Sequence, residues 1–172
     1  AVARMDRTAA IVTMDPSKLA LMSCNPAVGG IGKSHLVKEI DALGGVMGMA
    51  TDATGIQFRR LNLSRGPAVW STRAQADRIG YNDWVVAFVE AQPRVSVIEG
   101  LAGEVLTENG SVVGIRLESG ESIGCRAAVI ATGTFLGGLI HIGQKQIRAG
   151  RIGEPAAYKL SESFLSLGFE VG

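Results

Sequence analysis

Apolar positions recur along the chain with two different periods, and the pattern predicts a mixture of strands and helices. Thr8 to Thr13 (TAAIVT) reads as a short buried strand. Leu36, Val37, Ile40 and Leu43 fall at helical spacing, so Ser34 to Leu43 reads as a helix stopped by Gly44-Gly45. Ile56 to Leu61 alternates as a strand does. Thr72-x-x-Gln75 has the capping-box pattern and predicts a helix running to Ala91, ahead of Pro93. Its apolar set includes Ala76, Ile79, Val85, Val86 and Val89. Val95 to Ile98 and Ala102 to Thr107 read as further strands. Asn109-Gly110 is a strong hairpin signal into Val112 to Glu118, and Ser119-Gly120-Glu121 turns the chain again. The continuous apolar run Arg126 to Thr132 (RAAVIAT) has the character of a fully buried parallel strand. Leu160 to Leu167 reads as a helix closed by Gly168, and Phe169 to Gly172 as a strand just starting. Ala1 to Met5 resembles the last turn of a helix, so the sequence reads as a piece of a longer protein.

Composition sharpens this picture at one point. Glycine supplies 23 of the 172 residues, nearly double the usual share, with no three-residue period and only 5 prolines. The hydrophobic fraction of 47% supports a packed core, so the excess glycine is spent on turns and on close approach of backbone to a ligand. No apolar run approaches the length of a membrane span. Cys24 and Cys125 stand in unrelated contexts and form no disulfide framework.

Charge matters locally rather than globally. Seventeen Lys and Arg against 16 Asp and Glu leave a net of +1. Between Phe58 and Arg78, however, five arginines (Arg59, Arg60, Arg65, Arg73 and Arg78) face a single acid, Asp77. Lys145, Arg148, Arg151 and Lys159 form a second basic stretch against Glu154.

The densest candidate chemistry lies in SCNPAVGGIGKSH, Ser23 to His35. Its Gly-Lys-Ser ending resembles a phosphate-binding P-loop, but Ala27 replaces the first glycine and no apolar strand ending in Asp follows as a metal-holding partner. The physical content survives without that label. Glycines at Gly29, Gly30 and Gly32 leading into a helix N-terminus expose backbone N–H groups, and Lys33 adds a charge, which together make an anion site. A tight turn with Lys33 in solvent is the plain alternative. Cys24 stands beside this loop as a candidate proton donor, acceptor or nucleophile, with inert packing as the alternative. Cys125, His35 and His141 read as structural, and no histidines or carboxylates take metal-ligand spacing. The hairpin followed by Ala131-Thr132-Gly133 resembles the late half of a dinucleotide-binding flavoprotein domain, where small residues at a strand's carboxyl end let a cofactor approach the backbone.

Several longer strings resemble one family. Met22 to Gly45 (MSCNPAVGGIGKSHLVKEIDALGG), Gly55 to Val69 (GIQFRRLNLSRGPAV), Thr72 to Arg78 (TRAQADR), Ala131 to Gly143 (ATGTFLGGLIHIG) and Ala149 to Pro155 (AGRIGEP) are similar to the glucose-inhibited division protein A family of tRNA-modifying flavoproteins. The resemblance implies an α/β, FAD-binding Rossmann-like domain of the glutathione-reductase type with an inserted small β-hairpin sheet, incomplete at both ends. Residues 1–172 would then be part of one FAD-binding domain. The first strand and its glycine-rich turn would precede residue 1, and the NADH-binding insertion and helical C-terminal domain would follow residue 172. It further implies a homodimer in the bacterial cytoplasm or an organelle, working with a GTPase partner. NADH reduces the flavin, and methylenetetrahydrofolate supplies a methylene for C5 of the tRNA wobble uridine. FAD would be held by Asn25, Gly29, Gly30, Gly32, Ala102, Ala131, Thr132, Gly133 and Ala157, with Cys24 and Lys33 as candidate catalytic groups. Arg59, Arg60, Arg65 and Arg73 would grip tRNA phosphates, the alternative being a solvated basic face. Members commonly carry Val and Ser where this chain has Ala102 and Ala157, so any hydroxyl contact at 157 is lost. Ser34 replaces a usual Gly, and Trp70 a common Arg. Another flavoprotein oxidoreductase and a non-catalytic RNA-binding module remain as other readings.

Overall fold

Elements form where the pattern demands them, with instructive exceptions. The computed structural model describes residues 1–151, 153 and 156–170. They divide into two compact units: Ala1–Ile11 with Asp15–Ile98, and Val12–Met14 with Glu99–Gly172. The division falls within strands β1 (Ala9–Thr13) and β5 (Val95–Glu99), which pair with each other. Ala9 N–H donates to the Arg94 carbonyl and Gly100 N–H to the Thr13 carbonyl, so the two strands run in the same direction. No residue of β1 is fully buried, in contrast to the expectation for Thr8 to Thr13. The expected terminal turn is present as a 3-10 helix over Val2–Met5.

The first unit is built on a three-stranded antiparallel sheet. Its order is β2 (Ala27–Gly29), β4 (Ser71–Ala76), β3 (Gly55–Leu61). Even-numbered residues point to one face, where Val28, Ala74 and Ala76 are buried. Val28 and Ala76 join Ala50, Tyr81 and Val85 in one apolar cluster, packed by Met22, Val37, Trp84 and Val89. Burial raises the Tyr81 phenol above its ordinary pKa, partly offset by its hydrogen-bonding interaction with Thr51. Helices α1 (Lys33–Ala42), α2 (Met47–Thr54) and α3 (Arg78–Glu90) belong to this unit. The helix at 34–43 is therefore present, and Gly44 ends it at φ +79°, but its apolar stripe stays largely exposed: Leu43 is 80% accessible. Helix α2 carries no apolar stripe and was not expected.

The capping-box expectation is wrong. Thr72 and Gln75 lie within strand β4, and α3 begins five residues later than that pattern predicts. Asp77 caps it instead, its carboxylate accepting from the N–H groups of Ile79 and Gly80 at 3.0 and 3.1 Å.

The second unit contains the sheet β6 (Ala102–Glu108), β7 (Ser111–Leu117), β8 (Ser122–Gly124), all antiparallel neighbours. Asn109 and Gly110 both take positive φ, +49° and +76°, as a two-residue primed turn requires. Helix α4 (Tyr158–Ser166) covers this sheet, and Gly168 follows its end at φ +86°. Val105, Ala157 and Leu160 form the core, with Ala102, Ile115, Leu136 and Phe164 packed around them. Ser163 Oγ accepts from the Val105 N–H at 3.0 Å, tying helix to strand. A short hairpin, β9 (Leu139–Ile142) with β10 (Lys145–Arg148), completes the unit.

Arg126 to Thr132 is not a buried strand. The segment pairs with no described strand, residues 126–131 make no backbone hydrogen bond among the described residues, and Val129 is 93% exposed. A parallel strand is buried only when neighbours bond both its edges and helices cover both faces, and none of the described elements does so here. Phe169 and Glu170 form no strand, and the rest of that expectation, Val171-Gly172, lies outside the described residues. Ile152, Glu154 and Pro155 of the AGRIGEP string lie outside them as well.

Candidate functional site

The register of the first unit's sheet brings together residues that are far apart in sequence. Gly29 stands opposite Arg73, and Arg73 stands opposite Arg59, so the three form one row across β2, β4 and β3. The next row sets Ala27, Gln75 and Gln57 side by side. All are odd-numbered and project from the face opposite the apolar cluster. Gln57, Arg59, Leu61, Arg73 and Gln75 line an open concavity of about 270 Å³. In the sequence Gln75 stands out only as part of a helix cap and Gln57 does not stand out; the alternations Gln57-x-Arg59-x-Leu61 and Ser71-x-Arg73-x-Gln75 carry the signal for this face.

The glycine loop leaves the same row. Gly29, Gly30 and Gly32 take φ of +94°, +108° and +72°. A Cβ on Gly29 would stand 2.2 Å from the Thr72 carbonyl oxygen, so β2 and β4 approach this closely only with glycine there. Gly30 N–H donates to that same carbonyl at 2.9 Å, and Ser34 N–H to the Gly30 carbonyl at 2.9 Å. Among the described residues the N–H groups of Ile31, Gly32, Lys33 and His35 have no partner. Around the Cα of Gly30 and of Gly32 there is open space where a side chain would stand. The loop thus presents unbonded donors and bare backbone at the start of α1, with Lys33 exposed beside them. This is a cradle into which an electron-rich or anionic cofactor group fits. The P-loop reading is set aside: Ala27–Gly29 of the would-be loop is a strand, and Leu19 to Met22 is none.

Cys24 is exposed in the segment before β2, its carbonyl accepting from Arg78 Nη2 at 2.7 Å. Asn25 lies in the same segment. The four arginines of the basic stretch do not act alike. Arg59 and Arg73 share one face, whereas Arg60 points to the other and places its guanidinium carbon 5.9 Å from the centre of the Trp70 ring. Arg65 rides on a loop closed by three bonds: Asn62 Nδ2 to the Val69 carbonyl, Trp70 Nε1 to the Arg65 carbonyl, and Arg65 N–H to the Asn62 carbonyl.

In the second unit, Ala102 and Ala157 meet in one apolar cluster, and Ala157 is nearly inaccessible. Ala157 N–H donates to the Phe135 carbonyl at 2.8 Å and its carbonyl accepts from Gly137. The turn that begins at Gly133 is thereby held against residue 157. Ala131 and Gly133 are exposed, Thr132 half-buried, and Gly133 at φ +56° has open space where a side chain would stand.

The sequence profile of the family described as "Glucose inhibited division protein A" matches residues 1–172. The chain belongs to this family. It is 49% identical to the tRNA uridine 5-carboxymethylaminomethyl modification enzyme MnmG of Parabacteroides distasonis over 99% of its own length, and 49% identical to that of Thermodesulfovibrio yellowstonii over 100%. It spans only 27% and 28% of those two relatives. Among solved structures, Aquifex aeolicus GidA superposes with a TM-score of 0.92 at 43% identity, covering 98% of this chain and 28% of that one. The GidA-related protein of Thermus thermophilus shares the fold at a TM-score of 0.67 and 18% identity. The α/β fold expected of a GidA-type FAD-binding domain is therefore the fold observed. Among the described residues no helix is long and apolar enough to cross a membrane.

Proposed function

We propose that this chain supplies part of the FAD-binding domain of an enzyme that modifies the wobble uridine of tRNA, both compact units belonging to that one domain. The observation that carries the reading is the bare glycine loop, whose unbonded N–H groups start at the row shared with Arg73 and Arg59. It supports a site where an anionic cofactor edge lies against backbone beside a polyanionic substrate. Family membership and the MnmG relatives support the substrate and the reaction.

In this reading the FAD-contacting residues are Asn25, Gly29, Gly30, Gly32, Ala102, Ala131, Thr132, Gly133 and Ala157. Bound FAD supplies two-electron redox chemistry, with NADH as reductant and methylenetetrahydrofolate as the one-carbon source. Lys33 sets a positive charge at the loop, and Cys24, exposed and close in sequence, moves a proton or attacks the uridine. Arg59, Arg60, Arg65 and Arg73 bind tRNA. The whole enzyme is a cytoplasmic homodimer with a GTPase partner.

The experiment uses the full-length protein. Purification should yield the visible absorption of bound flavin, and addition of tRNA, NADH and methylenetetrahydrofolate with the partner should change the mass of the wobble uridine. Protein that takes up no FAD overturns the proposal. Flavin retained without any tRNA product overturns the substrate assignment alone.

A further inference from the structure

We propose that Arg59 and Arg73 act as one clamp for a single phosphate group, with Gln57 and Gln75 donating beside them. The proposal rests on the tRNA reading above for the source of that phosphate, and on the sheet alone for the site. Directly opposed like charges on neighbouring strands destabilise a sheet, and a carboxylate commonly relieves them. None does so here. Among the described residues neither arginine side chain takes part in an ion pair or a hydrogen bond, although Arg116, Arg94, Lys18 and Lys159 all find acids. The two arginines line one concavity with two glutamines one row away, and no acidic residue lines it. Arginine forks and amide N–H groups are donors that match the non-bridging oxygens of one phosphate, which would remove the repulsion as it binds.

Geometry separates this pair from the other two arginines. Arg60 faces the opposite side over Trp70, Arg65 sits on the 62–70 loop, and neither lines the concavity. A row of three strands also fixes the pair more firmly than a loop does. The inferred site therefore reads one fixed phosphate position, while Arg60 and Arg65 add binding elsewhere.

The test uses full-length protein and two probes, inorganic phosphate and an anticodon stem-loop RNA. At constant ionic strength, replacing chloride by phosphate should raise the Tm of the wild type by a few degrees. It should leave Arg59→Gln and Arg73→Gln unmoved, while Arg73→Lys keeps part of the response. In chloride alone the Gln variants should be at least as stable as wild type, because each removes a repulsion. For RNA, the slope of log K against log salt should fall by about one for either single variant, and no further in the double variant. A double variant that loses about two units overturns the shared phosphate, since each arginine would then hold its own. Slopes that stay unchanged while the phosphate response is intact overturn RNA as the source and assign the clamp to a free nucleotide. Absence of any phosphate response overturns the clamp, even where tRNA still binds. Wild-type protein that binds no RNA sinks the tRNA reading separately, with the phosphate arm still deciding the site.

Discussion

Two cross-strand pairs, one in each unit, use arginine in opposite ways. In the second unit Arg116 stands directly across from Glu104 and bonds to its carboxylate, so the sheet balances its own charge. In the first unit Arg73 stands directly across from Arg59, and no carboxylate among the described residues answers either. The second unit also packs its sheet under α4, whereas the odd face of the first unit's sheet carries arginine and glutamine into an open concavity. The lesson is that a sheet satisfied by its own side chains is scaffold, and a sheet left in deficit is arranged around something external.

The contrast can be broken at several points. Leu160 is the largest wholly buried side chain of the chain's described part, and Leu160→Ala should cost about 2–5 kcal/mol in urea unfolding, loosening α4 from β6. A cost below about 1 kcal/mol would show the second unit to be no scaffold. In the first unit, Gly29→Ala should cost about 1–3 kcal/mol from its positive φ, with more from the clash at Thr72. Faster hydrogen exchange at the Gly30 amide is the direct readout, and unchanged exchange would refute the close β2–β4 approach. Asp77→Ala should remove about 1 kcal/mol by uncapping α3, seen as a lower urea midpoint. The smallest effect is the most pointed. Arg73→Glu converts the first unit's pair into the second unit's kind and should gain about 0.2–1 kcal/mol. Glu104→Arg should lose a similar amount, and the same sign for both would sink the comparison.

Local signals were legible where local chemistry decides. Asn109-Gly110 and Gly168 each need positive φ and are found where turn and cap were expected. Asp77 defeated the capping-box reading because Thr72 and Gln75 already serve as alternating positions of a central strand, and a short carboxylate just before α3 caps it directly. Arg126 to Thr132 failed for a different reason. An apolar run has the composition of a buried strand whether or not partners lie beside it, and only tertiary contacts reveal their absence. The hairpin β9–β10 was overlooked although Gly143, at φ +58°, marks its turn. Of the candidate site, the glycine loop and the arginine cluster were each visible. Their meeting in one row was not, because antiparallel register links Gly29, Arg73 and Arg59 across intervals that no motif spans.

The bare segment after β8 also governs how the chain behaves in a test tube. Six successive residues whose amides and carbonyls have no backbone partner among the described residues, apolar at Val129 and Ile130 and guarded by the single charge of Arg126, form a ready template for an incoming strand. Concentrated solutions of these 172 residues on their own should self-associate through that stretch, thickening or precipitating long before the rest of the molecule unfolds.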